Sequence, residues 1–277
     1  MGKLYVLGTP IGNLGDFSPR AVATLESCDF IAAEDTRVTV KLLNHFGIKK
    51  PMVSYHEHNR RQHGETIISR ILAGEDCALV TDAGMPAISD PGEDLVRACH
   101  EQGIKVESVP GPCAFATAVA ISGMPSGRFT FEGFLSVNKP GRMEHLDSLK
   151  NEKRTMVFYE APHKLAATLR DMYKAFGNRE LAIVREITKI HEEVIRTELS
   201  QAVEKYGDGS LKGEIVLVIA GCETDNGDEM TFEQAVDAAR ASVAAGMSAS
   251  SAAKEAAKLS GFKKGEIYKE LAGKTDV

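Results

Sequence analysis

The stretch Ala78-Leu-Val-Thr-Asp-Ala-Gly-Met-Pro-Ala-Ile-Ser-Asp-Pro-Gly92 decides the fold. Its apolar start, Ala78 to Val80, gives way at once to small, turn-forming and acidic residues, and a helical pattern follows. That order describes a strand that ends in an open loop before a helix. Ala83 and Gly84 leave room for a ligand to approach the backbone, because little side chain stands in the way. Asp82 and Ser89 offer acceptors, and the loop amides offer donors. In an open α/β sheet ligands bind beyond the carboxyl ends of the strands, so this loop is a pocket candidate from its position.

Outward from this loop, strand-like runs alternate with amphipathic helical patterns. The expected strands are Leu4–Leu7, Phe30–Ala33, Met52–Tyr55, Ala78–Thr81, Val106–Val109, Phe129–Phe131, Thr155–Tyr159, Leu181–Arg185, Val194–Thr197 and Glu214–Ile219. Ser18-Pro19 places a cap residue before a proline at the first helical position, and Asp90-Pro91 reads as the same device. Such alternation makes an α/β protein with a largely parallel sheet in its first half. Pro110-Gly-Pro112 reads as a hinge, and the close spacing of the strand at Glu193–Thr197 predicts some antiparallel pairing beyond it. After Gly221 an acidic, linker-like segment, Thr224 to Glu229, precedes an Ala-rich helical tail with stretches Phe232–Ala245, Ser248–Leu259 and Lys264–Leu271. The expected organisation is an N-terminal α/β domain (1–112), a C-terminal α/β domain (113–222) and a helical appendage (223–277). The appendage reads either as a helix-turn-helix unit or as a small helical cap.

The 277 residues are 43% apolar and 26% charged, the balance of an ordinary globular protein with a sizeable core. No apolar run approaches the roughly 18 residues of a membrane span. The N-terminus enters a strand directly, so the expected location is cytoplasmic, without a membrane partner. The five cysteines are scattered and contain no C-x-x-C pair, which indicates neither a disulfide framework nor a zinc site. Net charge is −6, yet Arg240 to Lys274 holds seven basic against three acidic residues, a local balance of +4. The chain as a whole therefore does not bind nucleic acid indiscriminately, while the tail can offer a basic face.

The first loop, Gly8-Thr-Pro-Ile-Gly-Asn-Leu-Gly15, lies where a dinucleotide fingerprint would sit, but Pro10 replaces its second glycine. Proline has no N–H to give a pyrophosphate, which argues against a nicotinamide enzyme or an NTPase. Ala32-Ala-Glu-Asp-Thr-Arg37 places Glu34, Asp35 and Arg37 at the end of the second strand, either as an ion pair and helix cap or as groups that position a substrate and take a proton. His56-Glu-His-Asn59 follows the third strand. Two histidines at i, i+2 in a loop are a poor metal pair, so no metal is expected, and His56 is a candidate to face substrate. Phe158-Tyr-Glu-Ala-Pro-His-Lys164 repeats the strand-to-polar-turn pattern in the second half, and a cleft between the halves is the simplest common site.

Seven of these segments in order resemble the tetrapyrrole methylase superfamily, the class III S-adenosylmethionine-dependent methyltransferases. They are Thr9-Pro-Ile-Gly-Asn-Leu14, Ala33-Glu-Asp-Thr-Arg37, Thr81–Gly84, Ser89-Asp-Pro-Gly92, Pro110-Gly-Pro-Cys113, Glu132-Gly-Phe-Leu135 and Phe158-Tyr-Glu160. The wording is similar to the branch that acts on ribosomal RNA; Ala83-Gly84-Met85 stands where tetrapyrrole enzymes carry Gly-Asp-Pro. The resemblance implies two α/β domains with S-adenosylmethionine in the interdomain cleft, and a homodimer. It implies 2′-O-methylation of a cytidine ribose in the decoding centre of small-subunit (16S) ribosomal RNA, within the small ribosomal subunit. Carried over, Pro10, Asp82, Ala83, Gly84, Ile88, Cys113, Ala114, Tyr159, Glu160, Gly213 and Glu214 would bind the cofactor. Catalytic candidates are Glu34, Asp35, Arg37 and His56. Lys139, Arg142, Lys263 and Lys264 are candidates to contact RNA. The alternatives are a small-molecule tetrapyrrole methylase and a non-enzymatic RNA-binding or ribosome-assembly factor.

Overall fold

The computed structural model describes residues 1–222 and 230–272. The acidic segment Thr224–Glu229 lies outside the described residues. Met1–Cys222 form one compact unit that holds two five-stranded sheets, and the helical tail forms a second unit.

The first sheet is made by β1 (Lys3–Leu7), β2 (Phe30–Ala33), β3 (Met52–Ser54), β4 (Cys77–Val80) and β5 (Lys105–Val109), in the order β3-β2-β4-β1-β5. Every pairing in it is parallel. Buried on both faces, β2 and β4 are continuous apolar runs, as parallel strands between two helix layers require. Ile31 and Ala33 pack with α1 (Pro19–Ser27) and α2 (Thr36–His45), through Leu25 and Leu43. Phe30 and Ala32 face the other way, toward Ile67 and Ile71 of α3 (Arg60–Leu72) and Leu95 of α4 (Glu93–Glu101). The chain leaves β1 for β2 past β4, and leaves β4 for β5 past β1, over opposite faces. Their carboxyl ends therefore diverge into a crevice, the switch point at which open α/β sheets bind ligands.

Pro110-Gly-Pro112 leads from β5 into α5 (Ala114–Ser122), which packs against the second sheet. That sheet has the order β6-β7-β10-β8-β9, from β6 (Phe129–Phe134), β7 (Thr155–Glu160), β8 (Glu180–Arg185), β9 (Glu193–Glu198) and β10 (Ile215–Ile219). Only β6 and β7 run parallel; the other neighbours are antiparallel, as the close spacing of β9 behind β8 predicts. Its outer face carries α6 (Lys139–Ser148), α7 (Leu165–Phe176) and α8 (Leu199–Tyr206) over Phe158, Ile183 and Leu217. β6 extends three residues beyond the expected Phe131, because a bulge falls between Phe131 and Gly133. The extra residue restores the parity that Phe134 would otherwise lose: Phe131 sits opposite Val157 and Phe134 opposite Tyr159, so both rings face the same side.

One expected helix start is corrected. Ser18 does cap α1, its Oγ accepting from the Ala21 N–H at 3.1 Å. Asp90 does not repeat this for α4, which begins at Glu93 with Gly92 in the cap position and no side-chain cap bond. A left-handed turn at Ala87 and Ser89, with φ of 65° and 64°, displaces the helix start and leaves the Asp90 carboxyl free of it.

In the tail, α9 (Phe232–Ala244), α10 (Ala249–Ser260) and α11 (Lys264–Ala272) close on a core of five alanines with Val236 and Ile267. A capping box at Thr231 and Gln234 starts α9. With so many alanines, Ile267 supplies a large share of the buried apolar surface, and Ile267→Ala is expected to cost about 2–5 kcal/mol. Hydrogen exchange should then show protection lost throughout α9–α11 and kept in both sheets; equal loss in the sheets would contradict the separate core.

Candidate active site

A cleft of ≈ 360 Å³ opens beyond the carboxyl ends of the first sheet and reaches the second. Its first wall is Ile11 from the β1 exit and Ala83, Gly84, Met85 and Ile88 from the β4 exit. Opposite stand Tyr159 and Glu160 at the end of β7, Phe134, and Glu214 to Val216 at the start of β10. Cys113 and Ala114 close the cleft with the start of α5, whose N-terminus has no side-chain cap bond. A second, polar basin of ≈ 640 Å³ adjoins it, lined by Glu34, His56, Glu57, His58 and Arg60 with the segment Ala87 to Asp94. Among the described residues, Ser89 and Asp90 alone border both.

Eight of the eleven residues expected to bind the cofactor line the cleft: Ala83, Gly84, Ile88, Cys113, Ala114, Tyr159, Glu160 and Glu214. Pro10, Asp82 and Gly213 do not line it, although each stands next to a residue that does. Pro10 sits between Ile11 and Thr9, whose hydroxyl donates to the Thr81 carbonyl at 3.0 Å. Asp82 instead ties two strand exits together: its amide donates to Glu34 Oε2 at 3.3 Å, and its carboxylate accepts from the Asp35 amide at 3.2 Å. The close approach at Gly213, with φ of +99°, is made by Glu186, whose Cγ would lie 2.7 Å from an added Cβ. Nor is the Gly84 amide a free donor, since it bonds the Thr9 carbonyl at 3.1 Å in a two-residue bridge. Tyr159 holds the start of α5, its hydroxyl accepting from the Phe115 amide at 3.1 Å, and burial pushes its phenol up to about 12. The Glu160 carboxylate is satisfied by the Ala161 amide at 2.7 Å and by the Thr168 hydroxyl.

The catalytic candidates separate. Asp35 caps α2 through the Arg37 amide at 2.8 Å and grips the Arg37 guanidinium, with Nη2–Oδ2 at 2.6 Å. That side-chain pairing holds its carboxyl down to about 2, so Asp35 is a feeble proton acceptor. Arg37, with 88% of its side chain exposed, lines neither cavity. The structural alternative for this pair, ion pair and helix cap, is what the geometry shows. Glu34 and His56 do meet in the basin. Burial pushes the Glu34 carboxyl up, and the Asp82 and Asp35 charges add to this. His56 Nε2 lies 3.2 Å from Asn59 Nδ2, while its buried Nδ1 has no hydrogen-bond partner among the described residues. Among the described residues, no group of three His, Cys, Asp or Glu could hold a metal ion.

Of the groups expected to contact RNA, Arg142 is corrected. Its Nη2 and Nε bind Asp171 Oδ2 at 2.7 and 2.8 Å, and its Nη1 donates to the Ser136 and Val137 carbonyls at 3.0 and 3.1 Å. With 12% of its side chain exposed it clamps α6 to α7 and has no fork left for a phosphate. Lys139 and Lys263 are exposed, as is Lys264, whose Nζ reaches Ser250 Oγ at 3.0 Å.

Reading the sequence missed Asp90 as a lining group, because Asp-Pro before a helical pattern signals a cap. It also missed Phe134, whose ring packs 5.3 Å from Tyr159. The one available signal was Gly133 inside a strand, which marks a bulge.

The family model for Tetrapyrrole (Corrin/Porphyrin) Methylases matches residues 3–203. The chain belongs to this family. Among its relatives, Ribosomal RNA small subunit methyltransferase I of Synechocystis sp. is 45% identical over 269 residues, covering 97% of this chain and 96% of that one. The protein of the same name from Thermotoga maritima is 48% identical over 223 residues, 80% of this chain and all of its own length. That relative thus leaves about a fifth of this methylase unmatched, the size of its helical tail. A solved uroporphyrin-III C-methyltransferase from Thermus thermophilus, complexed with S-adenyl homocysteine, shares the fold at a TM-score of 0.55 and 15% identity, covering 79% of this chain and 97% of that one. The methylase has no helix, among its described residues, long and apolar enough to cross a membrane.

Proposed function

We propose that this methylase transfers a methyl group from S-adenosylmethionine to the 2′-hydroxyl of a cytidine ribose in small-subunit (16S) ribosomal RNA. The observation that carries the reading is the two-compartment site: an apolar cleft at the switch point, open through Ser89 and Asp90 to a polar basin with Glu34 and His56. The cleft suits the cofactor. Ile11, Met85, Ile88 and Phe134 offer apolar walls for an adenine. Glu214 and Asp90 offer negative charge to a sulfonium and an ammonium. S-adenosylmethionine supplies an activated methyl group bound to a good leaving sulfur.

What remains for the protein is to align the acceptor and take its proton. The basin gives the ribose a polar seat, and the Asp82–Glu34 cross-link keeps the β2 and β4 exits in register beside it. Two further features belong to the reading: two copies associate as a homodimer, and the substrate is the assembled small subunit in the cytoplasm.

The test is incubation of the purified protein with labelled S-adenosylmethionine and either naked 16S RNA or small ribosomal subunits, with the product mapped by mass spectrometry. One ribose methyl on one cytidine of the subunit is expected. Methylation of a base, or only of a tetrapyrrole, would overturn the reading; failure to bind S-adenosylmethionine in calorimetry would favour a non-enzymatic assembly factor. Sedimentation tests the dimer.

If the tail contacts phosphates through exposed Lys263 and Lys264, replacing both by Gln should lower the slope of log affinity against log salt by about 0.7–0.9 for each phosphate that is no longer neutralised. A slope equal to that of the parent protein would remove the tail from RNA docking.

A further inference from the structure

The proposed activity brings one ribose to the mouth of the cofactor cleft. Its base hangs from the ring carbon next to the reacting one, so the adjoining basin of ≈ 640 Å³ is within its reach. Proteins read RNA sequence at bases freed from stacking, by hydrogen bonds to their Watson–Crick edges. On that edge cytosine shows an amino donor beside a ring acceptor, where uracil shows a carbonyl acceptor beside an N–H. A basin that prefers cytosine therefore needs an acceptor with no cation already on it.

Besides Asp90, which also lines the cofactor cleft, the described residues of the basin carry four carboxylates: Glu34, Glu57, Glu93 and Asp94. Glu57 and Asp94 bind the two terminal nitrogens of Arg60 at 3.2 and 3.0 Å. Glu93 pairs with Arg97 along α4. Glu34 is the exception, since among the described residues no Lys or Arg pairs with it. Its Oε2 accepts from the Asp82 amide at 3.3 Å, and its own amide donates to the Val80 carbonyl at 3.3 Å. Backbone and side chain are thus both tied to the exit of β4, while Oε1 accepts no hydrogen bond among the described residues. We infer that Glu34 selects cytosine, its Oε1 accepting from the exocyclic amino group of the target base, which deepens the proposed activity and rests on it.

The setting suits this role. Burial pushes the Glu34 carboxyl up, so the ion sits there at a cost that a further donor would offset. A hydrogen bond to a charged acceptor is roughly twice as strong as one between neutral groups. Uracil in the same place would set its O4 against the carboxylate, two acceptors with no proton between them. Held through Oε2, the carboxylate cannot turn away from that mismatch without losing the Asp82 amide. Because Glu34 lines the basin and not the cleft, base selection is separable from cofactor binding.

The test uses small ribosomal subunits reconstituted with 16S RNA that carries C or U at the methylated position. For the parent protein, E34Q and E34A, kcat/KM is measured on both. The parent protein should prefer C by about 5- to 150-fold, the usual worth of one well-made base contact. In E34Q the new carbonyl can keep the Asp82 amide while an amide nitrogen, a donor, takes the place of Oε1, so the preference should turn toward U. In E34A the preference should fall close to one. A ratio of two rates on one protein does not depend on how much of it is folded, so a destabilised variant still reports. S-adenosylmethionine affinity, read by calorimetry, should stay at the parent's level in both variants. An equal loss on C and U that keeps the parent's ratio, as removal of a proton acceptor would give, overturns the assignment. So does a lost cofactor affinity, or a parent protein that methylates C and U alike. A parent protein that binds cofactor but methylates no ribose in either subunit defeats the proposed activity instead.

Discussion

Replacing Arg142 by alanine is expected to cost about 3 kcal/mol of stability and to leave RNA affinity unchanged. The guanidinium and Asp171 are 12% and 11% exposed, so this is an interior ion pair between α6 and α7. Removing one partner of such a pair leaves the other charge without compensation, at a cost of roughly 3–5 kcal/mol. The carbonyls of Ser136 and Val137 lose their donor as well. Arg142→Lys should recover part of the loss, since an ammonium keeps the charge but cannot reproduce the planar fork. The double change Arg142→Met with Asp171→Leu should recover most of it, because no lone charge then stays in the interior. Urea denaturation measures all four proteins. A melt equal to the parent's, with weaker RNA binding, would return Arg142 to the RNA surface.

Ala83→Trp is expected to abolish S-adenosylmethionine binding, lowering affinity at least about 100-fold, or about 2.7 kcal/mol. Ala83 lies at the β4 exit on the cleft wall, and its own side chain is exposed. An indole there fills space meant for ligand without crowding either core, so the thermal midpoint should hardly move; exposed substitutions usually stay within about 0.5 kcal/mol. Calorimetry and a melting curve decide. Parent-like affinity would show that the cofactor sits elsewhere, and a large drop in the midpoint would show that Ala83 supports the fold.

The strand pattern was legible because parallel strands buried on both faces, such as Phe30–Ala33 and Cys77–Val80, are short apolar runs between turn signals. The cleft was legible for a related reason. Loops after such strands gather at one edge of the sheet whatever their side chains, so Ala83 and Gly84 could be placed there from position in the chain, while Ile88 came from the family resemblance. The tail was legible as helical and Ala-rich, but not as an independent core. That depends on how Ile267 and the alanines of three helices meet.

The roles of polar side chains were not legible, since each depends on a partner far along the chain or on a local backbone turn. Arg142 is equally basic whether it faces solvent or Asp171, 29 residues away. Asp82 looks like a ligand group until its bonds to Glu34 and the Asp35 amide, 48 and 47 residues away, are seen. Asp90 reads as a helix cap until two left-handed residues swing it between cleft and basin. The sequence by itself determined the alternation of elements, and hence the sheets and the edge where a ligand binds, because periodicity and turn chemistry are local. Only the tertiary structure decided which charges are spent on the fold and which remain for chemistry, because ion pairing and desolvation depend on distance in space.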